Sequence, residues 1–281
     1  MTAETARGTQ NPAARFLSSY LWTKDQDDFG GYSAISLSPD GASFLMLSDR
    51  AHVIEGTILR HGERILGVRS KAMSPLDFSD SLFEEEPIRD TEGLARDTSG
   101  GIFVSLESDN RILHLTADGT WSLLPEYAGL AGLPSNKGVE ALAVGSDGAL
   151  FAVPETSAGL IQPFPVFRYR EGIGWDTPFE ISRGPGLLPV GADFDPMGRL
   201  YLLERGFSGF GFFSRVRRFD LLDGPVLEGE TLLETKQRRH DNLEGLSIWQ
   251  AETGELRITM VSDDNFSRFQ KTEIVEYAIS N

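Results

Sequence analysis

Cysteine is absent from the 281 residues. That excludes disulfides, thiolate nucleophiles and zinc–thiolate centres. Basic residues are in deficit, with 26 Lys and Arg against 42 Asp and Glu and a net charge of -16. Nucleic acids and anionic membranes are held by clustered Lys and Arg, so neither is an expected partner. No apolar run approaches the roughly 20 residues of a spanning helix, so no membrane insertion is expected. No stretch of useful length shows a helical period. The segment from Met1 to Arg15 is polar and carries no signal-peptide pattern as given. Residues 1–14 are expected to be a flexible lead-in, and 15–281 a single domain.

What is present is a repeat. Asp241-Asn242-Leu243-Glu244-Gly245-Leu246 leads, after a turn at Ala251–Glu255, to Val261-Ser262-Asp263-Asp264-Asn265-Phe266. Related pairs of apolar runs start at Ser33, Glu92, Glu140 and Val190, roughly 50 to 60 residues apart. Each unit continues with two further strand-like runs, such as Arg111–Leu115 with Thr120–Leu124. Turn chemistry separates them, as in Ser38-Pro39-Asp40-Gly41 and Gly145-Ser146-Asp147-Gly148. Several short strands per unit at this period define an all-β fold, a single closed β-propeller. The repeat count gives five blades, or six if one unit is degenerate. The last unit has three strands, and the run Arg15–Trp22 at the other end of the chain is expected to supply its fourth and close the ring, which would protect the sheet edges.

Within a hairpin, the start of the first strand and the end of the second share a rim. First-strand starts supply Glu92, Glu140 and Glu244; second-strand ends supply Asp49, Glu107, Glu155, Glu204 and Asp263. The long connections Lys71–Thr91, Glu126–Gly138, Thr156–Pro165, Gly206–Ser214 and Glu234–Leu243 are expected at that same rim, where binding sites usually lie. Crowded carboxylates raise one another's pKa unless compensated, either by a hard cation or by nearby Arg50, Lys137, Arg205 and Arg239. The expected metal ligands are Glu92, Glu140, Glu244, Asp263 and Asp49, with Ca²⁺ as the ion and no organic cofactor. Zinc is disfavoured, because only His240 lies at this rim. Glu92, Glu140, Glu244 and Arg205 are the expected catalytic groups. Arg50, Glu107, Glu155, Glu204, His240, Asn242, Asp264 and Asn265 are the expected substrate contacts.

Arg60-His61-Gly62-Glu63-Arg64 resembles the phosphohistidine motif of histidine acid phosphatases, with His240-Asp241 as the later pair. Leu66 stands where that family has proline, and a propeller puts the two pieces at opposite rims. A second resemblance covers nearly the whole chain, about residues 15–279. Ser48-Asp49-Arg50, Glu92-Gly93-Leu94-Ala95, Asn136-Lys137-Gly138-Val139-Glu140-Ala141-Leu142, Leu203-Glu204-Arg205-Gly206, Asp241–Leu246 and Val261–Phe266 resemble the phytase-like, "esterase-like activity of phytase" family of bacterial β-propeller proteins. Lys137 and Ala141 replace the more usual Arg and Gly of its third repeat. The resemblance implies a propeller, export to the periplasm or beyond, and a hydrolase.

Three roles stay open for the rim: a metal-assisted ester or phosphoester hydrolase acting on a small molecule, a binding module without turnover, or a structural ring of ion pairs. A monomer is expected in each case.

Overall fold

The computed structural model describes residues 13–83, 87–157, 159, 161–222 and 224–279. Of the lead-in expected at 1–14, residues 1–12 lie outside the described residues, and Ala14 already belongs to strand β1 (Ala14–Leu21). Blade 1 follows with β2 (Tyr32–Leu37), β3 (Ser43–Ser48), β4 (His52–His61) and β5 (Arg64–Ser70), and the short β6 (Ser74–Pro75) pairs with β4. Blade 2 holds β7 (Thr91–Arg96), β8 (Ile102–Leu106), β9 (Arg111–Leu115) and β10 (Trp121–Leu123). The one-turn helix α1 (Ala128–Ala131) leads into blade 3, with β11 (Val139–Val144), β12 (Leu150–Pro154), β13 (Phe164–Arg170) and β14 (Gly174–Ile181). Blade 4 holds β15 (Leu188–Phe194), β16 (Leu200–Phe207), β17 (Phe212–Phe219) and, after the two-residue β18 (Val226–Leu227) that joins the edge of blade 3, β19 (Glu230–Glu234). Blade 5 is β20 (Asn242–Gln250), β21 (Leu256–Asp263) and β22 (Glu273–Ile279), with β1 antiparallel on its outer side, Ala14 opposite Ile279 and Leu21 opposite Glu273.

The described residues therefore form an all-β, five-bladed propeller. Its innermost strands pack side by side in the cycle β2, β7, β11, β15, β20 and back to β2. Strands covered on both faces read as continuous apolar runs, and β8 (Ile-Phe-Val-Ser-Leu) and β21 are buried along their whole lengths. Outer strands such as β5 are buried only in part. Apolar clusters fill the space between neighbouring blades, such as Tyr201 and Leu203 of blade 4 against Leu246 and Ile248 of blade 5.

Each inner hairpin carries a register shift at one equivalent place: at Ser33, Glu92-Gly93, Glu140, Val190 and Glu244. A bulge adds one unpaired residue and re-aims its side chain. The next ring position is small, occupied by Ala34, Gly93, Ala141, Gly191 and Gly245, because neighbouring inner strands approach closely there. A Cβ on Gly191 would lie 2.5 Å from the Glu244 carbonyl oxygen. Overpacking of this kind costs about 1–3 kcal/mol, so Gly191→Ala is expected to lower Tm by roughly 3–8 °C in calorimetry. Gly67→Ala, whose nearest neighbours are 4.0 Å away, should move it much less.

The connection expected over Gly206–Ser214 is shorter than the sequence suggested. Strands β16 and β17 run beyond the rim, pairing Phe207 with Phe212, and Gly206 leaves room for the Phe213 ring.

Candidate active site at the axial rim

The second-strand residue that faces the axis is set by its hydrogen-bonded partner on the inner strand. Asp49 N donates to Gly31 O, Glu107 N to Asp90 O and Glu155 N to Gly138 O. Asp263 pairs with Asn242. In blade 4 the equivalent pair is Leu188 with Arg205, because Glu204 is opposite Pro189. The fifth place in the ring therefore belongs to Arg205, and Glu204 is one residue short of it. A slip of one residue turns a strand side chain to the other face. Glu204 is 0% exposed, and its two oxygens are taken by Arg215 (2.7 and 2.8 Å) and Arg217 (both 2.8 Å). This corrects its placement among the rim contacts.

The ring is thus Asp49, Glu107, Glu155, Arg205 and Asp263, with Glu92, Glu140 and Glu244 reaching in from the bulges. The oxygens of Asp90, Glu92 and Glu107 lie within 4.8 Å of one another, as do those of Glu107, Glu140 and Glu155, so Glu107 belongs to both groups. Asp90 was not singled out in the sequence. The offset from bulge to ring residue carried the signal for Arg205, since Val190 precedes it by the same number of residues as Glu92 precedes Glu107.

Arg205 is the compensating cation. Its Nη1 donates to Glu244 Oε1 and to Asn242 Oδ1 (3.2 Å), and Asn242 Nδ2 also donates to Glu244 (2.8 Å). Burial alone would lower the Arg205 pKa, but Glu244, Glu140, Glu155 and Glu92 together raise it. Arg50 lies over the Phe266 ring, 3.4 Å from its centroid. Arg239 lies over Phe16 at 4.5 Å. Neither is ion-paired to the axial acids.

With so little compensation, burial and mutual repulsion raise the pKa of several of these acids. Burial, then the charges of Glu140 and Glu244, raises Glu92 well above the usual carboxylate range. Burial raises Glu140 likewise, against the pull of Arg205, and Glu155 adds to the rise through its charge and a hydrogen bond. Burial and the neighbouring Asp90 push Glu107 up to about 7. Glu244 is pushed up to about 8, chiefly by burial and in spite of Arg205. Asp263 rises to about 6 by burial, although Asn265 N donates to it. Burial also raises Asp49.

The remaining expected contacts are dispersed. Asp264 Oδ1 accepts from Gly31 N (2.9 Å) and Phe266 N (3.0 Å), and Oδ2 accepts from Thr272 (3.0 Å), so it ties the loop after β21 to the one before β2. Asn265 is exposed at a left-handed φ of 47°. His240 is 7% exposed, bonded to the Tyr277 hydroxyl (2.8 Å) and 3.4 Å from Glu273. It stacks on Phe16 of β1 and contributes nothing to the carboxylate groups. Arg60 pairs with Glu276 and Glu63 with Arg15, which accounts for the phosphatase-like segment as structural.

Leu94, Leu142, Val190 and Leu246 surround a space of only about 10 Å³, room for a single water at most. Glu92, Glu107, Glu140 and Glu155 are half-buried, and Glu244 and Asp263 are buried. The donor set fits a hard cation: it is oxygen only, and two oxygens each about 2.4 Å from one ion are at most about 4.8 Å apart.

Fold and rim define a five-bladed propeller with an acidic axial rim. The chain belongs to the phytase-like family, "Esterase-like activity of phytase", which matches residues 27–266. No curated protein matches it. Among solved structures it is similar in fold to the calcium-binding protein regucalcin from Agrobacterium tumefaciens, at 11% identity and a TM-score of 0.51, covering 96% of each chain. A luciferin-regenerating enzyme matches at 12% identity and a TM-score of 0.48, covering 95% of each chain. A catalytically inactive variant of virginiamycin B lyase from Staphylococcus aureus matches at 12% and 0.45, covering 94% of this chain and 96% of the other.

Proposed function

We propose that the axial rim is a hard-cation-dependent site for hydrolysis of an ester or phosphoester of a small molecule. The observation that supports it is the pair of three-carboxylate groups meeting at Glu107, with Arg205 ion-paired to Glu244 at the same rim. Asp90, Glu92 and Glu107, or Glu107, Glu140 and Glu155, would hold the ion, and Ca²⁺ suits such oxygens. When bound, it would polarise the substrate oxygen as a Lewis acid. Arg205 would hold an anionic oxygen beside the ion. Glu244, oriented by Arg205 and Asn242 and pushed up to about 8 by burial, would give and take the proton. In the exported compartment that the resemblance implies, an affinity on the order of 10⁻⁴–10⁻³ M suffices.

The test is calorimetric titration of Ca²⁺ into EDTA-stripped protein, paired with 4-nitrophenyl acetate and 4-nitrophenyl phosphate assays with and without EDTA. Glu107→Gln is expected to weaken Ca²⁺ roughly tenfold or more, by analogy with the loss of other metal-site groups. Glu244→Gln should keep the heat of binding and lower turnover about 100-fold. No heat in the parent protein would end the metal assignment. Heat with no hydrolysis of either class would leave a binding module.

A further inference from the structure

We propose that the edge of the rim at blades 4 and 5 docks the protein onto an anionic lipid bilayer. The net charge alone disfavours this partner, but the cations are not spread evenly. Three segments carry this edge: the tip of the β16–β17 hairpin (206–213), the β19–β20 loop (235–240) and most of the β21–β22 loop (266–272). They hold Lys236, Arg238, Arg239, Arg268 and Lys271 and no Asp or Glu, in a chain of net charge -16. All five cations are exposed, and none has a carboxylate partner among the described residues. The segments are tied together. Arg238 N donates to Phe212 O (2.8 Å), and the Gln237 amide donates to Ser208 Oγ. Of the flanking acids, Asp241 accepts from Asn242 N (3.0 Å) and Lys271 N (2.9 Å), and Asp264 from Gly31 N and Thr272. Glu273 faces His240 at 3.4 Å, so Glu234 is what remains to oppose five cations.

The same segments present Phe207, Phe210 and Phe269, which at 62%, 82% and 95% exposed are the most exposed phenylalanines among the described residues. Phe207 packs on Phe212, ring centroids 5.1 Å apart. Phe269 is carried on a turn in which Ser267 O accepts from Gln270 N (3.2 Å) and Ser267 Oγ from Phe269 N (3.3 Å). Exposed apolar side chains gathered in one place mark interaction surfaces. Shape and charge select the partner. Phe207 is two residues past Arg205 on β16, a strand rise of roughly 7 Å, and Phe210 lies in the turn beyond it. A projecting tip of this kind gives a peptide or a small molecule no groove to fill. Phe flanked by Lys and Arg suits the headgroup layer of an anionic bilayer, where the rings enter and the cations meet phosphate. Exposed charges further off are screened over roughly 8–10 Å at physiological salt, so the surface that a bilayer meets is positive.

Binding is measured by co-sedimentation with unilamellar vesicles in EDTA, which removes Ca²⁺ bridges between carboxylates and lipid phosphate. Phosphatidylglycerol vesicles are expected to bind roughly tenfold or more tightly than phosphatidylcholine vesicles, an advantage that added salt removes. Arg268→Gln and Lys271→Gln should each weaken binding to phosphatidylglycerol about fivefold. Phe210→Ser and Phe269→Ser should weaken it by a similar factor and leave Tm unchanged, because both rings are exposed. Arg64→Gln, exposed in the turn at the opposite rim, should leave binding as it was. No sedimentation with phosphatidylglycerol, or equal binding to the two lipids, overturns the proposal. Binding indifferent to Phe210→Ser and to Lys271→Gln does so too. So does retention of a single-stranded oligonucleotide through Arg268 where vesicles do not bind.

Discussion

Glu204→Ala is expected to cost on the order of 3–5 kcal/mol of stability, a Tm fall of about 10 °C in calorimetry. Glu204 is wholly buried, and the side chains of Arg217 and Arg215 that clasp it are 4% and 15% exposed. Removing the carboxylate leaves two guanidinium groups with little water to replace it. Arg217 keeps its bonds to Ser182 O (2.9 Å) and Glu228 O (2.6 Å), but these are neutral acceptors and do not cancel its charge. Added salt should not rescue the variant, because screening acts weakly on buried charge. The triple variant Glu204→Met/Arg215→Met/Arg217→Met should recover much of the loss, since a buried ionic triad replaced as a unit by apolar groups is often neutral. A Tm within 2 °C of the parent would show that the clasp is not a structural tie. The same change reaches the rim indirectly: β16 presents Glu204 on one face and Arg205 on the other, so the clasp holds the strand that delivers the axial cation.

The repeat was legible because turn chemistry and strand length recur with it. Asp-Gly turns at Asp40-Gly41 and Asp147-Gly148 mark hairpin ends, and the apolar runs between them match the strands to within one or two residues at most positions. The acidic rim was legible for the same reason, since Glu92, Glu140 and Glu244 recur at one place in the unit. The bulge was harder to read. It adds one residue to the inner strand, so the alternation of faces restarts there, and residues before and after it cannot be counted on one register. Glu204 was matched to Glu107 as the last acid of its run, whereas pairing with Leu188 selects Arg205. His240 was expected at the rim as a substrate contact, but its partners Phe16 and Tyr277 come from opposite ends of the chain and meet only where β1 lies on β22, which sequence does not show.

The EDTA-treated protein is expected to lose stability as pH rises from 5 to 8, and Ca²⁺ to restore it most at the upper end. Burial pushes Glu107 up to about 7, Glu244 up to about 8 and Asp263 up to about 6, and raises Glu92 and Glu140 as well. In the unfolded chain all five would titrate near 4. The folded state therefore holds protons that the unfolded state releases. The stabilising contribution is complete below about pH 4 and is lost as pH climbs through 6 to 8. Arg205 offsets one carboxylate, so the remaining repulsion grows as each proton leaves. The expected fall in Tm is on the order of 5–10 °C across that window at low ionic strength. Asp193, pushed up to about 6 by burial, lies at the far end of β15, where it accepts from Ser247 and Ile248 (3.0 and 2.7 Å), and its share of the slope should not respond to metal. A cation competes with protons for the same oxygens, so 1 mM Ca²⁺ should raise Tm little at pH 5 and by several degrees at pH 8. Glu107→Gln removes the carboxylate common to both groups and should flatten both the pH slope and the Ca²⁺ response. An equal Ca²⁺ shift at pH 5 and pH 8 would place the ion away from these carboxylates, and a Tm independent of pH in EDTA would mean that their crowding is compensated without it.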